Sequence, residues 1–196
     1  GSPYRSLFPD AVYHRADLPG LEGLDYIIGD DSSVAAPSES YDLVLSTQVL
    51  EHVPDPRAYL KECLRLLKPG GYLMCSTHGT FEDHACPHDY WRWTAEGLHR
   101  TITAEGFDVK KHYKLSTGPR ALIFLIERAM QHVHIPKWNK LELALRPIRW
   151  LLSRQRAELH RLCDAYFSAN TIVERGADDG SHVYYICILS LAQKPA

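Results

Sequence analysis

The sequence predicts an α/β protein built as a doubly wound sheet. Two observations predict it. Short apolar runs recur along the chain as strands, and segments of helical spacing separate them. One of those runs, Tyr41–Ser46 (YDLVLS), has a continuous apolar core, the pattern of a strand covered on both faces.

The elements follow in order. Residues 11–18 (AVYHRADL) read as a strand ending at Asp17, with Pro19-Gly20 as its breaker. Residues 24–28 (LDYII) read as a second strand, closed by Gly29-Asp30-Asp31, and the small polar stretch Ser32–Ser40 is a loop. After strand 41–46 and Leu50, a core position, comes the clearest helix. Asp55 is its N-cap and Pro56 fits its first position. Tyr59, Leu60, Cys63, Leu64 and Leu67 form one apolar stripe, and Pro69-Gly70-Gly71 stops it. Tyr72–Ser76 is another strand. Thr94 caps a helix running to about Glu105, with Gly106 as its stop, and Phe107–Leu115 is a further strand. Residues 119–168 read as helical, broken near Pro136 and Pro147. His182–Leu191 is the last strand.

Composition narrows the classes. A chain of 196 residues that is 45% hydrophobic and 23% charged buries an ordinary core, which excludes disordered and low-complexity proteins. Apolar runs such as Ala121–Ile126 fall far short of the ~20 residues that span a bilayer. No secretory leader is expected. A net charge of -2 argues against a dedicated nucleic-acid binder. Cys63, Cys75, Cys86, Cys163 and Cys187 are scattered and form no CxxC pair, so reduced thiols in a cytoplasmic protein are expected. Residues 137–161 carry seven Lys/Arg against Glu142 and Glu158.

The run YDLVLSTQVLEHVPDPRAYLKECLRLLKPGGYLMCST, residues 41–77, resembles class I S-adenosylmethionine-dependent methyltransferases, and HDYWRWTAEGLHRTITAEGF, residues 88–107, resembles the next segment of one branch of them. The resemblance covers about residues 3–115 and the last strand. It implies a Rossmann-like, mostly parallel sheet with helices on both faces and an antiparallel last strand. It places residues 1–118 and 181–196 in the methyltransferase-like core and 119–180 in a helical insertion. It implies S-adenosylmethionine as cofactor and methyl transfer to a small-molecule acceptor. In the family's manner Asp17 receives the ribose hydroxyls, which suits an ionised carboxylate. Asp30, or Asp31 as the lesser alternative, meets the adenine amino group. Ser46, Thr47 and Gln48 line the methionine portion. Glu51-His52 matches the family's pair, read here as structural hydrogen bonding.

One family element is missing from the sequence, the Gly-rich turn after the first strand. The chain is expected to begin just after that strand, which is central in the family's sheet. Its neighbours are then expected to close the gap by pairing directly, or to pair with another chain. Cofactor binding is expected to be weaker than in a complete enzyme. The alternative function is a non-catalytic methyltransferase-like interaction or scaffold module.

The loop after strand 72–76 carries His78, Glu82, Asp83, His84, Cys86, His88 and Asp89. The spacing His84-x-Cys86-x-His88 does not match a closed structural metal site, so no metal is expected. The resembling branch has a His-x-x-Pro-His-Asp-Tyr-like loop here, facing the substrate. A histidine suits proton removal from a hydroxyl acceptor, so His88 and His84 are the candidate bases. Tyr90, Trp91 and Trp93 read as packing residues. For the block 119–180 three readings compete: a lid, a homodimer interface, or an amphipathic anchor giving peripheral membrane contact through 141–161.

Overall fold

The computed structural model describes residues 3–132, 172–174 and 184–196, together with residues 140, 143–148, 150, 158, 161, 162 and 165. The strands are β1 (Ala16–Asp17), β2 (Tyr26–Ile27), β3 (Tyr41–Thr47), β4 (Leu67–His78), β5 (Asp108–Thr117), β6 (Ile172–Glu174) and β7 (Tyr185–Gln193). The helices are α1 (Pro56–Leu66), α2 (Ala95–Ala104) and α3 (Gly118–His132).

Both capped helices form for the reasons the sequence predicts. Asp55 accepts hydrogen bonds from the Arg57 and Ala58 amides, and Pro56 costs nothing because its missing N–H lies in the unpaired first turn. Thr94 accepts from the Gly97 amide and starts α2. α1 turns directly into β4, whose first residue, Leu67, is fully buried. Gly71 sits where a side chain would meet the Lys68 and Asp42 carbonyls, so only glycine lets β3 and β4 approach there.

Five strands form one sheet in the order β3–β4–β7–β5–β6. β3 and β4 are parallel, with Leu43 opposite Tyr72 and Thr47 opposite Ser76. β7 lies antiparallel between β4 and β5, so β3, β4 and β5 share one direction and the antiparallel last strand is present. Leu60 and Cys63 of α1, Leu98 and Ile102 of α2, Leu73 and Cys75 of β4, and Ile188 and Ala192 of β7 pack into one buried core.

Four expectations are corrected in detail. The strands at 11–18 and 24–28 shrink to the two-residue β1 and β2. They pair in parallel with each other, Ala16 opposite Tyr26, and not with β3. Direct closure between β1 and β3 is therefore not formed, and among the described residues the second edge of β3 carries no strand. The reason lies in what holds the segment after β2. Arg65 of α1 donates to the Val34 and Ala36 carbonyls, and Glu62 accepts from the Val34 amide. These bonds anchor the segment to α1. His14 and Tyr41 share a hydrogen bond of 2.9 Å that links the ribbon to the start of β3.

The third correction is that residues 172–174, inside the segment read as helical insertion, form edge strand β6 against β5. The fourth concerns Pro147, which lies within the helical stretch 143–148 and does not break it there. Pro136 lies outside the described residues. α3 starts at Gly118 without a linker after β5, and Leu143, Ile148 and Trp150 are exposed.

Candidate functional site

The parallel pair β3 and β4 delivers two short polar segments to the same end of the sheet, Ser46-Thr47-Gln48 and Ser76-Thr77-His78. Ligands of open α/β sheets bind at the carboxyl ends of such strands. Gln48 takes a left-handed backbone (φ 54°) as the chain leaves β3. Its amide donates to the carbonyl of Ser76 on β4 at 2.8 Å, and its side-chain Nε2 donates to Ser76 Oγ at 3.2 Å. Its Oε1 is buried with no hydrogen-bond partner among the described residues. Ser46 is shut inside, where its hydroxyl accepts from Tyr59 OH at 2.9 Å. Ser46 therefore faces α1 with its side chain.

A one-turn 3-10 helix, Leu50–His52, follows and places Glu51 in the interior, fully buried. Glu51 Oε2 accepts from Thr77 Oγ1 at 2.8 Å. Its Oε1 stands 3.4 Å from His78 Nε2 and has no hydrogen-bond partner among the described residues. On its other side the His78 ring has Cys187 Sγ 3.4 Å from Nδ1 and stacks on Phe81 at 4.1 Å. Burial lowers the His78 pKa to about 4, so the ring is neutral at pH 7. Burial also pushes the Cys187 thiol up to about 11.

The segment 79–93 folds back over this end. The Tyr90 amide donates to the Glu51 carbonyl at 2.7 Å, and the Trp93 amide donates to the His78 carbonyl at 3.0 Å. Trp91 Nε1 donates to the Val53 carbonyl at 2.8 Å, so the tryptophan acts as an anchor although its ring is partly exposed. His52 Nδ1 donates to the His88 carbonyl at 2.6 Å. Asp89 accepts from the His84 amide at 2.8 Å and is clamped by Arg92, whose hydrogen bonds hold its carboxyl well below the usual carboxylate range. His84 thus sits among His52, His78 and Phe81, each ring centroid within 5.2 Å of its own. Gly79 makes the return possible: a Cβ there would run into the Tyr185 ring.

Beyond the loop, Phe81, Glu82, Leu125 and Arg128 line a cavity of about 490 Å³ between the loop and α3. Arg128 Nε donates to Glu82 Oε1 at 2.9 Å and ties the two walls.

The residues singled out in the sequence fall into two groups. Thr47, Gln48, His84 and His88 gather at the carboxyl end of β3 and β4. Asp17 lies on the separate β1–β2 ribbon, and Asp30 and Asp31 lie in the turn that follows β2. Asp17 ends β1, and its Oδ1 accepts from the Leu18 amide. Asp31 accepts from the Ser33 amide in its own turn, and its hydrogen bonds to Ser33 lower its pKa. Asp30 is exposed beside it. His88 is exposed, its ring 5.7 Å from that of Tyr90. No spacing in the sequence signals the grouping of Glu51 with His78 and His84. Local spacing compares His84 only with Cys86 and His88, whereas the group forms from three separate segments that β3–β4 pairing brings together.

Comparison with known proteins adds three findings. The family described as "Methyltransferase domain" matches residues 9–75. Two similar relatives are the ubiquinone biosynthesis O-methyltransferases of Cereibacter sphaeroides (strain KD131) and Parvibaculum lavamentivorans. The first is 48% identical over 69 residues, 35% of this chain and 27% of that protein; the second is 41% identical over 76 residues, 38% of this chain and 29% of that protein. The matched stretch thus spans little more than a quarter of these curated relatives. A Bacillus halodurans C-125 protein described as a methyltransferase has a similar fold, with a TM-score of 0.53 at 19% identity over 98% of this chain and 87% of that one.

Proposed function

We propose, from the premise that this chain is a relative of the class I S-adenosylmethionine-dependent methyltransferases, that it transfers a methyl group to a hydroxyl on a small molecule. The observation that carries the reading is positional. The methyltransferase-domain match, residues 9–75, includes β3 and most of β4, the two strands whose ends converge on Gln48 and the histidine loop. The relatives that act as O-methyltransferases favour oxygen as the acceptor atom.

The residues fit the cofactor at one telling point. Gln48 Oε1 is a buried acceptor without a donor, at the place proposed for the amino-acid portion, where an ammonium group would satisfy it. Thr47 and the backbone of Ser46 complete this floor. Asp17 would take the ribose hydroxyls, and Asp30, with Asp31 as the lesser alternative, the adenine amino group. Bound there, S-adenosylmethionine supplies an electrophilic methyl carbon on a sulfonium. The chain's own task is to hold the acceptor in line and to take its proton. His88 and His84 are the residues proposed for that proton. The wall formed by Phe81 and Leu125, with Arg128 and Glu82 at its rim, supplies an acceptor cavity of mixed polarity.

In the proposed organisation, residues 1–118 and 181–196 are the core and 119–180 the insertion. The Arg128–Glu82 tie favours a lid role for the insertion's first helix. A homodimer interface and membrane contact through 141–161 are further readings of its later part, which sedimentation and liposome co-sedimentation separate. Among the described residues no helix is long and apolar enough to cross a membrane. A cytoplasmic location is proposed from the thiols.

A second reading, a non-catalytic interaction module, is favoured by one observation: Asp17 stands on a ribbon, and Asp30 in the turn that follows it, outside the sheet bearing Gln48. Calorimetric titration with S-adenosylmethionine, followed by methyl transfer to a panel of phenols, separates the two. Measurable binding, with turnover that His88→Ala or His84→Ala abolishes while binding persists, supports the enzyme. Absence of binding at millimolar cofactor supports the module.

A further inference from the structure

Glu51, His78 and His84 each offer a ligand atom, and these atoms all lie within 4.8 Å of one another. They come from the 3-10 turn after β3, the end of β4 and the returning loop. From this juxtaposition of two imidazoles and one carboxylate around a common point, we propose a binding site for a divalent transition metal of the zinc class.

The first argument is geometric. Ligands 2.0–2.1 Å from a tetrahedral zinc stand about 3.4 Å apart. Glu51 Oε1 and His78 Nε2 are 3.4 Å apart, too far for a good hydrogen bond and right for two ligands of one ion. His84 stands on a loop, and a small shift of its ring closes the third side.

The second argument is an unmet need. Glu51 is fully buried and uses only Oε2, on Thr77; Oε1 has no partner among the described residues. A buried carboxyl oxygen left bare is costly, and a cation between it and two imidazoles removes the cost.

The third is the outer layer. Metal-bound imidazoles are held by a second contact on the far ring nitrogen. Cys187 Sγ lies 3.4 Å from His78 Nδ1, and Asp89 Oδ2 lies 3.5 Å from His84 Nδ1, itself clamped by Arg92. Thr77 orients the carboxylate. The backbone carbonyls of Glu51 and His78 are both held by the returning loop. Glu51 and His78 therefore each have a hydrogen-bonded support, and the Asp89 carboxylate stands beside the third ligand, His84.

Access is asymmetric. Glu51 and His78 are shut in, while the His84 side chain is 32% exposed, so an ion enters from the side of the loop and keeps at least one open coordination position there. Metal binding does not depend on methyl transfer. One consequence does rest on the proposed reaction: with His84 a ligand, His88 is left as the proton acceptor.

The test uses the full chain, stripped with a chelator and dialysed, without cofactor. Zn(II) is titrated by calorimetry against a competing chelator, and Co(II) is followed by its visible absorption. One ion per chain with a low-micromolar or tighter Kd is expected. His84→Ala and His78→Gln, both checked for native circular dichroism, are expected to weaken it at least about tenfold. Cys86→Ser, on the same loop, is expected to keep the wild-type affinity. His84→Ala keeps the test decisive if His78→Gln fails to fold, because its loop ring is partly exposed. Absence of stoichiometric Zn(II), or undiminished affinity in His84→Ala, overturns the site and leaves the methyltransferase reading untouched.

Discussion

His112 lies on β5 with its ring shut into the protein, 3% exposed. Its Nδ1 shares a hydrogen bond of 2.8 Å with Ser190 Oγ, and its Nε2 has no hydrogen-bond partner among the described residues. The groups facing it, His99 edge-on at 5.8 Å and Lys114 along the strand, are basic. Burial, seconded by His99, lowers its pKa from the ordinary histidine value near 6.5 to about 4. The folded state thus holds the neutral ring. Its contribution to stability is full above pH 6.5 and is lost as the pH falls through 6.5 towards 4. The loss amounts to on the order of 3 kcal/mol. Urea unfolding of wild type and His112→Gln between pH 7.5 and pH 4 checks this: the wild-type curve is expected to fall more steeply, and parallel curves would refute the assignment. No feature of the sequence around His112 announces such a residue. A histidine in a strand reads as half exposed, and only the pairing of β5 with β7 sets it against Ser190. Glu51-His52 shows the converse. The sequence already reads this pair as hydrogen-bonding, and each residue does bond, though to Thr77 and to the His88 carbonyl and not to its neighbour.

At the scale of elements, α1 is the segment the sequence specifies most fully, because cap, proline and stripe all lie within the element itself. Asp55 accepts from two amides of the first turn, so Asp55→Ala is expected to cost about 1 kcal/mol while Asp55→Asn costs little. Chemical denaturation measures both. Equal losses would mean that the carboxylate acts through charge on the helix dipole and not as a cap. The strands were less legible. β3, β5 and β7 appear within two or three residues of their expected ends, since each has a buried partner on the sheet. β1 and β2 do not, because strand length is set by what lies alongside, and these two have only one another. β6 has no signal of its own for the same reason: three residues, Ile172–Glu174, become a strand only through Tyr113–Leu115. The histidine loop was legible as a concentration of chemistry but not as a shape, for its conformation is dictated by carbonyls of Glu51 and His78 far back in the chain.

At the scale of the whole molecule, two bodies of unequal cohesion share one chain. The five-stranded sheet is welded by Leu73, Cys75, Ile188 and Ala192 under α1 and α2. The β1–β2 ribbon has a two-residue register and both residues of β1 exposed, while Leu18, Leu21 and Ile27 are exposed around it. Few buried contacts mean low local opening free energy. Amide hydrogen exchange at pH 7 is therefore expected to rank the two bodies. Amides of β4 and β7 should exchange only by global unfolding, and those at 16–28 by local opening a few kcal/mol below it. The ribbon's anchor gives a sharper form of the same test. Arg65 holds the Val34 and Ala36 carbonyls and Ser38 Oγ, and is itself steadied by Glu62, whose carboxyl its hydrogen bonds keep below the ordinary range. Arg65→Ala should speed exchange across 26–36 while leaving β4 and β7 at their wild-type rates. The same release should weaken any ligand that needs Asp17 and Asp30 together with Gln48, because those residues are joined through this anchor and the His14–Tyr41 hydrogen bond and not through strand pairing. Uniform protection across ribbon and sheet, or equal acceleration of both in Arg65→Ala, would show a single cooperative body and would remove the physical basis for treating the aspartates as loosely held.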